Sequence, residues 1–236
     1  MDLTGKVCVI TGASSGIGQS LAIKISLKGA TVVMAARRNS KLITIKEKID
    51  TEGGKCIGIK TDITKKLECK HLIDETINLY GKIDILILGA GVSMWSPFEE
   101  ITDISFFDDL MATNYSGAVH CIHAALPHLI SSKGMIVSCS TAQALVGFTN
   151  HSGYAASKHA LHGFLDTLDM ELNGKVQFLE ACLGWIRGTN MRSNAFGPSG
   201  TKMGETKRKH SSNSVDLDVC TDKIINAILE RKKTIY

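Results

Sequence analysis

The chain has 236 residues, 44% of them hydrophobic, and a formal net charge of +4. That is enough apolar material for one substantial core, and a single α/β domain over residues 1–236 is the simplest arrangement. The charge is modest and dispersed. Apart from the run Lys207-Arg208-Lys209-His210 no basic block points to nucleic acid, and seven cysteines without framework spacing read as reduced thiols.

Met1-Asp2-Leu3-Thr4-Gly5-Lys6 leads directly into a strand, with no charged-then-apolar leader. No apolar stretch approaches the ~20 residues of a membrane helix. A cytoplasmic location is expected, with room left for association at a membrane surface.

The first strand, Val7–Thr11, is a continuous Val-Cys-Val-Ile run, as a strand buried on both faces should be. Thr11-Gly12-Ala13-Ser14-Ser15-Gly16-Ile17-Gly18 follows at once and opens a helix over Ile17–Lys28. Gly12 permits a tight turn, Gly16 lets backbone approach a phosphate, and Gly18 allows close helix–strand packing. With Ser14, Ser15 and Ile17 they form a loop whose free amides and helix dipole face an anion.

The second strand, Thr31–Ala35, ends in Ala35-Ala36-Arg37-Arg38. A dinucleotide with a free ribose 2′-hydroxyl calls for an acidic residue here, whereas guanidinium forks suit a 2′-phosphate. NADP(H) is therefore preferred over NAD(H), with Arg37 on the phosphate and Arg38 stacking on adenine or pairing.

A helix over Ser40–Glu52, a strand over Lys55–Lys60 and a helix over Lys66–Tyr80 come next, with Asp62 and Ile63 just after the third strand. Strand Ile83–Leu88 runs into Gly89-Ala90-Gly91. A helix over Asn114–Ile130, strand Met135–Cys139, helix Tyr154–Leu172 and strand Val176–Cys182 complete the alternation. A short strand around Thr234–Tyr236 is expected at the close.

This order predicts a Rossmann-type doubly wound parallel sheet with helices on both faces and a ligand at the carboxyl ends of the strands. Cys8, Cys139 and Cys182 lie in apolar runs and read as core. Cys69-x-His71 and His120-Cys121-x-His123 are too short and isolated for zinc, so no metal is expected. Glu180 is unusual in a strand expected to be buried and calls for a donor, a proton or solvent.

Tyr154-Ala155-Ala156-Ser157-Lys158 places a phenol and an ammonium four residues apart on one helix face. A phenol normally titrates near ~10, and a neighbouring positive charge pulls that value down.

Together the glycine loop, Asn114-Tyr115-Ser116-Gly117 and Tyr154-x-x-x-Lys158 resemble the short-chain dehydrogenase/reductase family. The helix beginning at Tyr154 and the stretch Leu183-Gly184-Trp185-Ile186 are similar to its 11β-hydroxysteroid dehydrogenase type 1 and dehydrogenase/reductase member 7 branch. The resemblance implies a nicotinamide cofactor and catalysis by Asn114, Tyr154, Lys158 and a hydroxyl, with Asp62 at the adenine and Ile63 beside it. It implies hydride transfer to or from a carbonyl or secondary alcohol, on a lipophilic molecule such as a steroid or retinoid. A homodimer or homotetramer joined through the helices starting near Asn114 and Tyr154 is a further expectation.

Three departures stand out. The family serine's position, thirteen residues before Tyr154, holds Thr141; Ser140 is adjacent, and Thr141 is favoured with Ser140 as the fallback. The family's Asn-Asn-Ala-Gly is Leu88-Gly89-Ala90-Gly91, with Gly89, Ala90 and Gly91 still bordering the cofactor. In Leu183-Gly184-Trp185-Ile186-Arg187-Gly188-Thr189 the cofactor-binding threonine arrives one residue late, while Ile186 packs on the nicotinamide side.

Residues 193–213 read as a substrate loop or a plain surface loop. Met94, Trp95 and Phe98 form an apolar mouth or ordinary packing, and His151 and Ser152 reach substrate or simply turn the chain. His120, His123 and His128 read as surface or interface residues. The alternative function is a dinucleotide-binding sensor or scaffold of the same fold with weakened catalysis.

Overall fold

The structure, a computed structural model, describes residues 1–205 and 213–236. The basic run at 207–210 and residues 206–212 of the expected substrate loop lie outside the described residues. Seven parallel strands form one sheet in the order β3-β2-β1-β4-β5-β6-β9. They are β1 (Val7–Thr11), β2 (Thr31–Ala36), β3 (Lys55–Lys60), β4 (Ile85–Leu88), β5 (Met135–Thr141), β6 (Gln177–Leu183) and β9 (Thr234–Ile235). A two-residue pair, β7 (Ile186–Arg187) with β8 (Val215–Asp216), sits apart. Chain order reverses between β1 and β4, which opens a crevice at their carboxyl ends.

Each face of the sheet carries three long helices. On one side α1 (Gly16–Leu27), α2 (Asn39–Thr51) and α7 (Leu217–Glu230) bury Leu21, Ile25, Leu42, Ile49, Ile224 and Ile228 against Cys8, Ile10 and Met34. On the other, α3 (Lys66–Tyr80), α5 (Gly117–Ser132) and α6 (Ser152–Leu172) bury Leu72, Ile122, Leu129, Leu161 and Leu165 against Val9, Val33 and Leu86. The alternation of Cys8 and Ile10 to one core and Val9 to the other is the period-two rule acting on a strand wetted on neither face. No helix among the described residues is long and apolar enough to cross a membrane.

The amino ends of the central strands are tied to one carboxylate. Asp84 accepts from the Val7 amide and the Lys6 ammonium, both at 2.9 Å, and pairs with Lys82 at 2.9 Å. Burial pushes its carboxyl upward, but those hydrogen bonds outweigh it and hold Asp84 below the usual carboxylate range.

The expected strands lie within two residues of those observed, and the helices beginning at residues 16, 39, 66 and 152 within two. Two differences are larger. The helix expected to begin at Asn114 starts earlier, as α4 (Phe106–Met111), and passes through a π-helical turn at Ala112–Ser116 before α5. There Gly117 donates to Ala112 five residues back, one extra residue per turn that re-aims the Asn114 side chain inward. The second is α7, whose Ile224, Ile225 and Ile228 complete a three-helix layer.

Candidate active site

The carboxyl ends of β1 to β6 surround a cleft of about 490 Å³, within the usual range for small-molecule sites. It holds all the candidate site residues except Gly18 and Asn114, which support it from beneath. Gly12 has φ 68°, and a Cβ there would stand 2.7 Å from the Ala90 backbone; one on Gly18 would stand 2.6 Å from the Gly12 carbonyl oxygen. Only glycine lets the loop, β4 and α1 come this close. Ser15 precedes α1 without a capping side chain, so the helix's first amides are free to receive an anion.

Arg38 lies across this loop, its guanidinium donating to Ser14 Oγ at 2.8 Å and Ser15 Oγ at 3.0 Å. Arg37 is exposed at the same mouth. Asp62 lines the opposite wall and accepts from the Thr64 amide and hydroxyl. Ile63 is buried beside it and its carbonyl accepts from Cys69 Sγ at 3.3 Å.

The 89–92 segment is held from two sides. Thr11 Oγ1 accepts from the Gly89 and Ala90 amides at 3.2 and 3.3 Å. Asn114, fully buried, accepts from Val92 N–H and donates to Val92 C=O, both at 2.9 Å, and donates to Ser157 Oγ at 2.9 Å. Leu88 itself belongs to the core. The late threonine also reaches the cleft. Gly188, at φ 81°, turns the chain just before it, and Thr189 comes to face Gly16 across the glycine loop. Ile186 lines the cleft next to it.

Tyr154 and Lys158 project from the start of α6, 8% and 5% exposed, with Lys158 Nζ 6.0 Å from the phenol ring centroid. Thr141 and Ser140 both stand in the cleft wall, and of the two only Thr141 acts on the Tyr154 hydroxyl against the effect of its burial. Lys158 points its ammonium at the Cys139 carbonyl, 3.4 Å away. The expectation that Lys158 draws the phenol's pKa down is not met here. Burial pushes Tyr154 up to about 12, and only the neighbouring Thr141 side chain opposes it. Burial likewise lowers Lys158, against the pull of Cys139 and Glu180.

Beyond Tyr154 the cleft becomes aromatic. Trp95 packs edge-on against His151 with centroids 4.8 Å apart and against Trp185 at 5.6 Å, and the Arg192 guanidinium stacks 5.3 Å from the Trp95 ring. Phe148, Trp185 and Met191 line this end while remaining 43%, 39% and 41% exposed. Met94 is core instead, and Phe98 lies outside the cleft, packed edge-on against Phe107. Sequence reasoning did not single out Gln143, Phe148, Met191 or Arg192; their signal is position, in the segments that follow β5 and β6.

Glu180 finds its donor. His162 Nδ1 lies 2.7 Å from its Oε2, and His162 Nε2 lies 3.4 Å from Asp166. His120 Nδ1 lies 3.3 Å from the Ile63 carbonyl oxygen, so that ring packs behind Ile63.

These residues fit a nicotinamide dinucleotide. The glycine cradle excludes any Cβ, uncapped amides wait at α1, and hydroxyls and guanidinium groups converge on the same mouth. A family model described as short chain dehydrogenase matches residues 6–198. An 11-beta-hydroxysteroid dehydrogenase of Pinus massoniana is 39% identical over 192 residues, 81% of this chain and 54% of that protein. An 11-beta-hydroxysteroid dehydrogenase-like 2 of Arabidopsis thaliana is 40% identical over 83% of this chain and 63% of its own length. The chain thus spans between half and two thirds of these curated relatives.

Among solved structures, a short chain dehydrogenase/reductase of Burkholderia phymatum in complex with NAD superposes with a TM-score of 0.87, at 22% identity, over 100% of this chain and 89% of that one. An alcohol dehydrogenase of Thermococcus sibiricus complexed with 5-hydroxy-NADP gives 0.83 at 22% identity, over 98% and 94%. At that identity the likeness is one of fold.

Proposed function

Because the chain belongs to the short-chain dehydrogenase family, we propose that it is an NADP(H)-dependent oxidoreductase that interconverts a lipophilic ketone and its secondary alcohol. The observation that carries the reading is the meeting of Thr141, Tyr154 and Lys158 at the junction between the phosphate-binding and aromatic halves of one cleft. A bound nicotinamide supplies or accepts the hydride. The Tyr154 hydroxyl gives its proton to the carbonyl oxygen as charge develops there, and Thr141 donates a hydrogen bond to the same oxygen. Lys158 holds positive charge behind the phenol and stabilises the phenolate left once the proton has gone. Asn114 keeps the 89–92 segment and α6 in register through Val92 and Ser157.

NADP(H) over NAD(H) is supported by Arg37 and Arg38 at the end of β2, where no acidic residue stands to take a ribose hydroxyl. Gly12, Ser14, Ser15, Gly16, Ile17 and Gly18 would hold the pyrophosphate, Asp62 and Ile63 the adenine, and Ile186 and Thr189 the nicotinamide. A lipophilic substrate is supported by the exposed apolar rim of Phe148, Trp185 and Met191. A homodimer or homotetramer through α5 and α6 is part of the same reading. A cytoplasmic setting is consistent with it, as is attachment to a membrane surface.

The test is NADPH and NADH oxidation with a panel of steroid, retinal and quinone carbonyls, run with wild type and Tyr154→Phe. Turnover with NADPH that the variant lacks, at nearly unchanged NADPH affinity, is the expected result. Wild-type turnover in the variant rejects the assignment of Tyr154, and a strong NADH preference rejects that of Arg37. The second reading, a cofactor-binding sensor, draws on the phenol's pKa near 12; NADPH binding without turnover on any carbonyl would favour it.

A further inference from the structure

We propose that Gln143 and His151 form a second polar subsite beside the reacting carbon, one that accepts a hydroxyl group, so that the substrate is a hydroxylated ketone rather than a plain one. The proposal rests on the reductase reading of the cleft and specifies its substrate class.

Gln143 sits two residues past Thr141, on the 3₁₀ turn that Thr141 caps by accepting from the Gln143 amide at 3.3 Å. Its side chain is 7% exposed and lines the cleft, while its Oε1 is sealed from solvent and has no partner among the described residues. A buried carbonyl oxygen without a donor is costly, and a turn of the side chain toward the cleft brings it within reach of one.

His151 lies beside Tyr154, their ring centroids 6.2 Å apart. It is 4% exposed, lines the cleft, and is wedged edge-on against Trp95. Its Nδ1 stands 2.7 Å from the Thr149 carbonyl oxygen. A carbonyl only accepts, so Nδ1 carries the hydrogen, and burial holds the ring below the usual imidazole range and neutral. Nε2 is then a bare lone pair. Among the described residues nothing donates to it, yet it is absent from the sealed-off unpartnered atoms, so it opens on the cleft.

Two acceptors without donors thus belong to side chains lining the cleft that holds Tyr154. A plain ketone fills the aromatic space and leaves both unpaired, and a second carbonyl can accept from the Gln143 NH₂ but gives His151 Nε2 nothing. A hydroxyl on a carbon near the carbonyl donates to one of them, and the Gln143 NH₂ can donate to its oxygen in return. Sites built to pair a substrate hydroxyl discriminate strongly against analogues that lack it.

Benzoin and deoxybenzoin make the test, since they share a skeleton and differ by the hydroxyl next to the ketone. Two measurements are needed: kcat/KM for each with NADPH, and direct binding followed by tryptophan fluorescence. The chain's two tryptophans, Trp95 and Trp185, both line the cleft and report occupancy without turnover. Wild type should favour benzoin about tenfold or more in both measurements. His151→Phe should bring both ratios to within about threefold of one, while His151→Gln, which keeps an acceptor, retains most of the preference. Gln143→Leu provides a second, separate reduction should His151→Phe not fold.

Equal treatment of the two ketones by wild type, no binding of either, or an undiminished ratio in His151→Phe and Gln143→Leu overturns the subsite. Turnover of both ketones at equal efficiency removes the subsite and leaves the reductase. Tighter binding of benzoin with no turnover keeps the subsite and removes the reductase.

Discussion

Burying a phenol beside an ammonium gives each group a reason to shed its charge, and here both shifts run that way. Tyr154, raised to about 12, holds its proton more tightly folded than unfolded. Its contribution to stability is therefore complete below ~10 and is lost as pH climbs through about 12, on the order of 2–3 kcal/mol. Lys158, shifted down, acts with the opposite sign: its burial penalty is present at neutral pH and eases as pH rises toward the unfolded value. Urea unfolding at about pH 9 and pH 11.5 should show wild type losing more stability than Tyr154→Phe, and parallel losses would contradict the raised phenol. Thr141, as the hydroxyl that meets Tyr154, should cost about 10²–10³ in kcat when changed to Ala. Ser140→Ala should stay within about tenfold, and the reverse ranking in steady-state kinetics would move the role to Ser140.

Among the elements, the π-helical turn at Ala112–Ser116 connects local geometry to the site most directly. Asn114→Leu should cost about 2–4 kcal/mol by urea unfolding, because it strips the Val92 amide and carbonyl and the Ser157 hydroxyl of buried partners. A cost below about 1 kcal/mol would mean that water takes over those bonds. The strands were legible because parallel strands buried on both faces read as unbroken apolar runs, Val7–Ile10 and Ile85–Leu88 among them. The glycine loop and Tyr154–Lys158 were legible because their chemistry is local. Helix α7 follows a long polar stretch, and its Ile224, Ile225 and Ile228 stripe gains meaning only once the layer formed by α1 and α2 has a vacant edge. The substrate end was the least legible part. Gln143, His151, Trp185 and Arg192 come from separate segments and meet only in three dimensions.

For the molecule as a whole, the cleft concentrates positive charge. Among the described residues Arg37, Arg38, Lys158, Arg192 and Lys202 line it against the one carboxylate of Asp62. A focused field of that sign raises the local concentration of a polyanionic ligand and weakens with salt. NADPH at about a hundred times its Kd should add about 2.7 kcal/mol, or roughly 5–10 °C in Tm for a chain of this size. NADH at equal concentration should add much less, and Arg37→Ala should narrow the gap; equal shifts by thermal melting would remove the arginine argument.

Asp84 fixes the central strands at the edge of the sheet opposite the cleft, through Lys6, Val7 and Lys82. Strand alignment is thereby settled at one pole and chemistry at the other, with the length of the strands between them. A chimera that exchanges the 92–105 and 188–205 loops for those of another oxidoreductase leaves every contact of Asp84 in place. Selectivity can then be redrawn by transplanting whole segments, without re-optimising the scaffold beneath them.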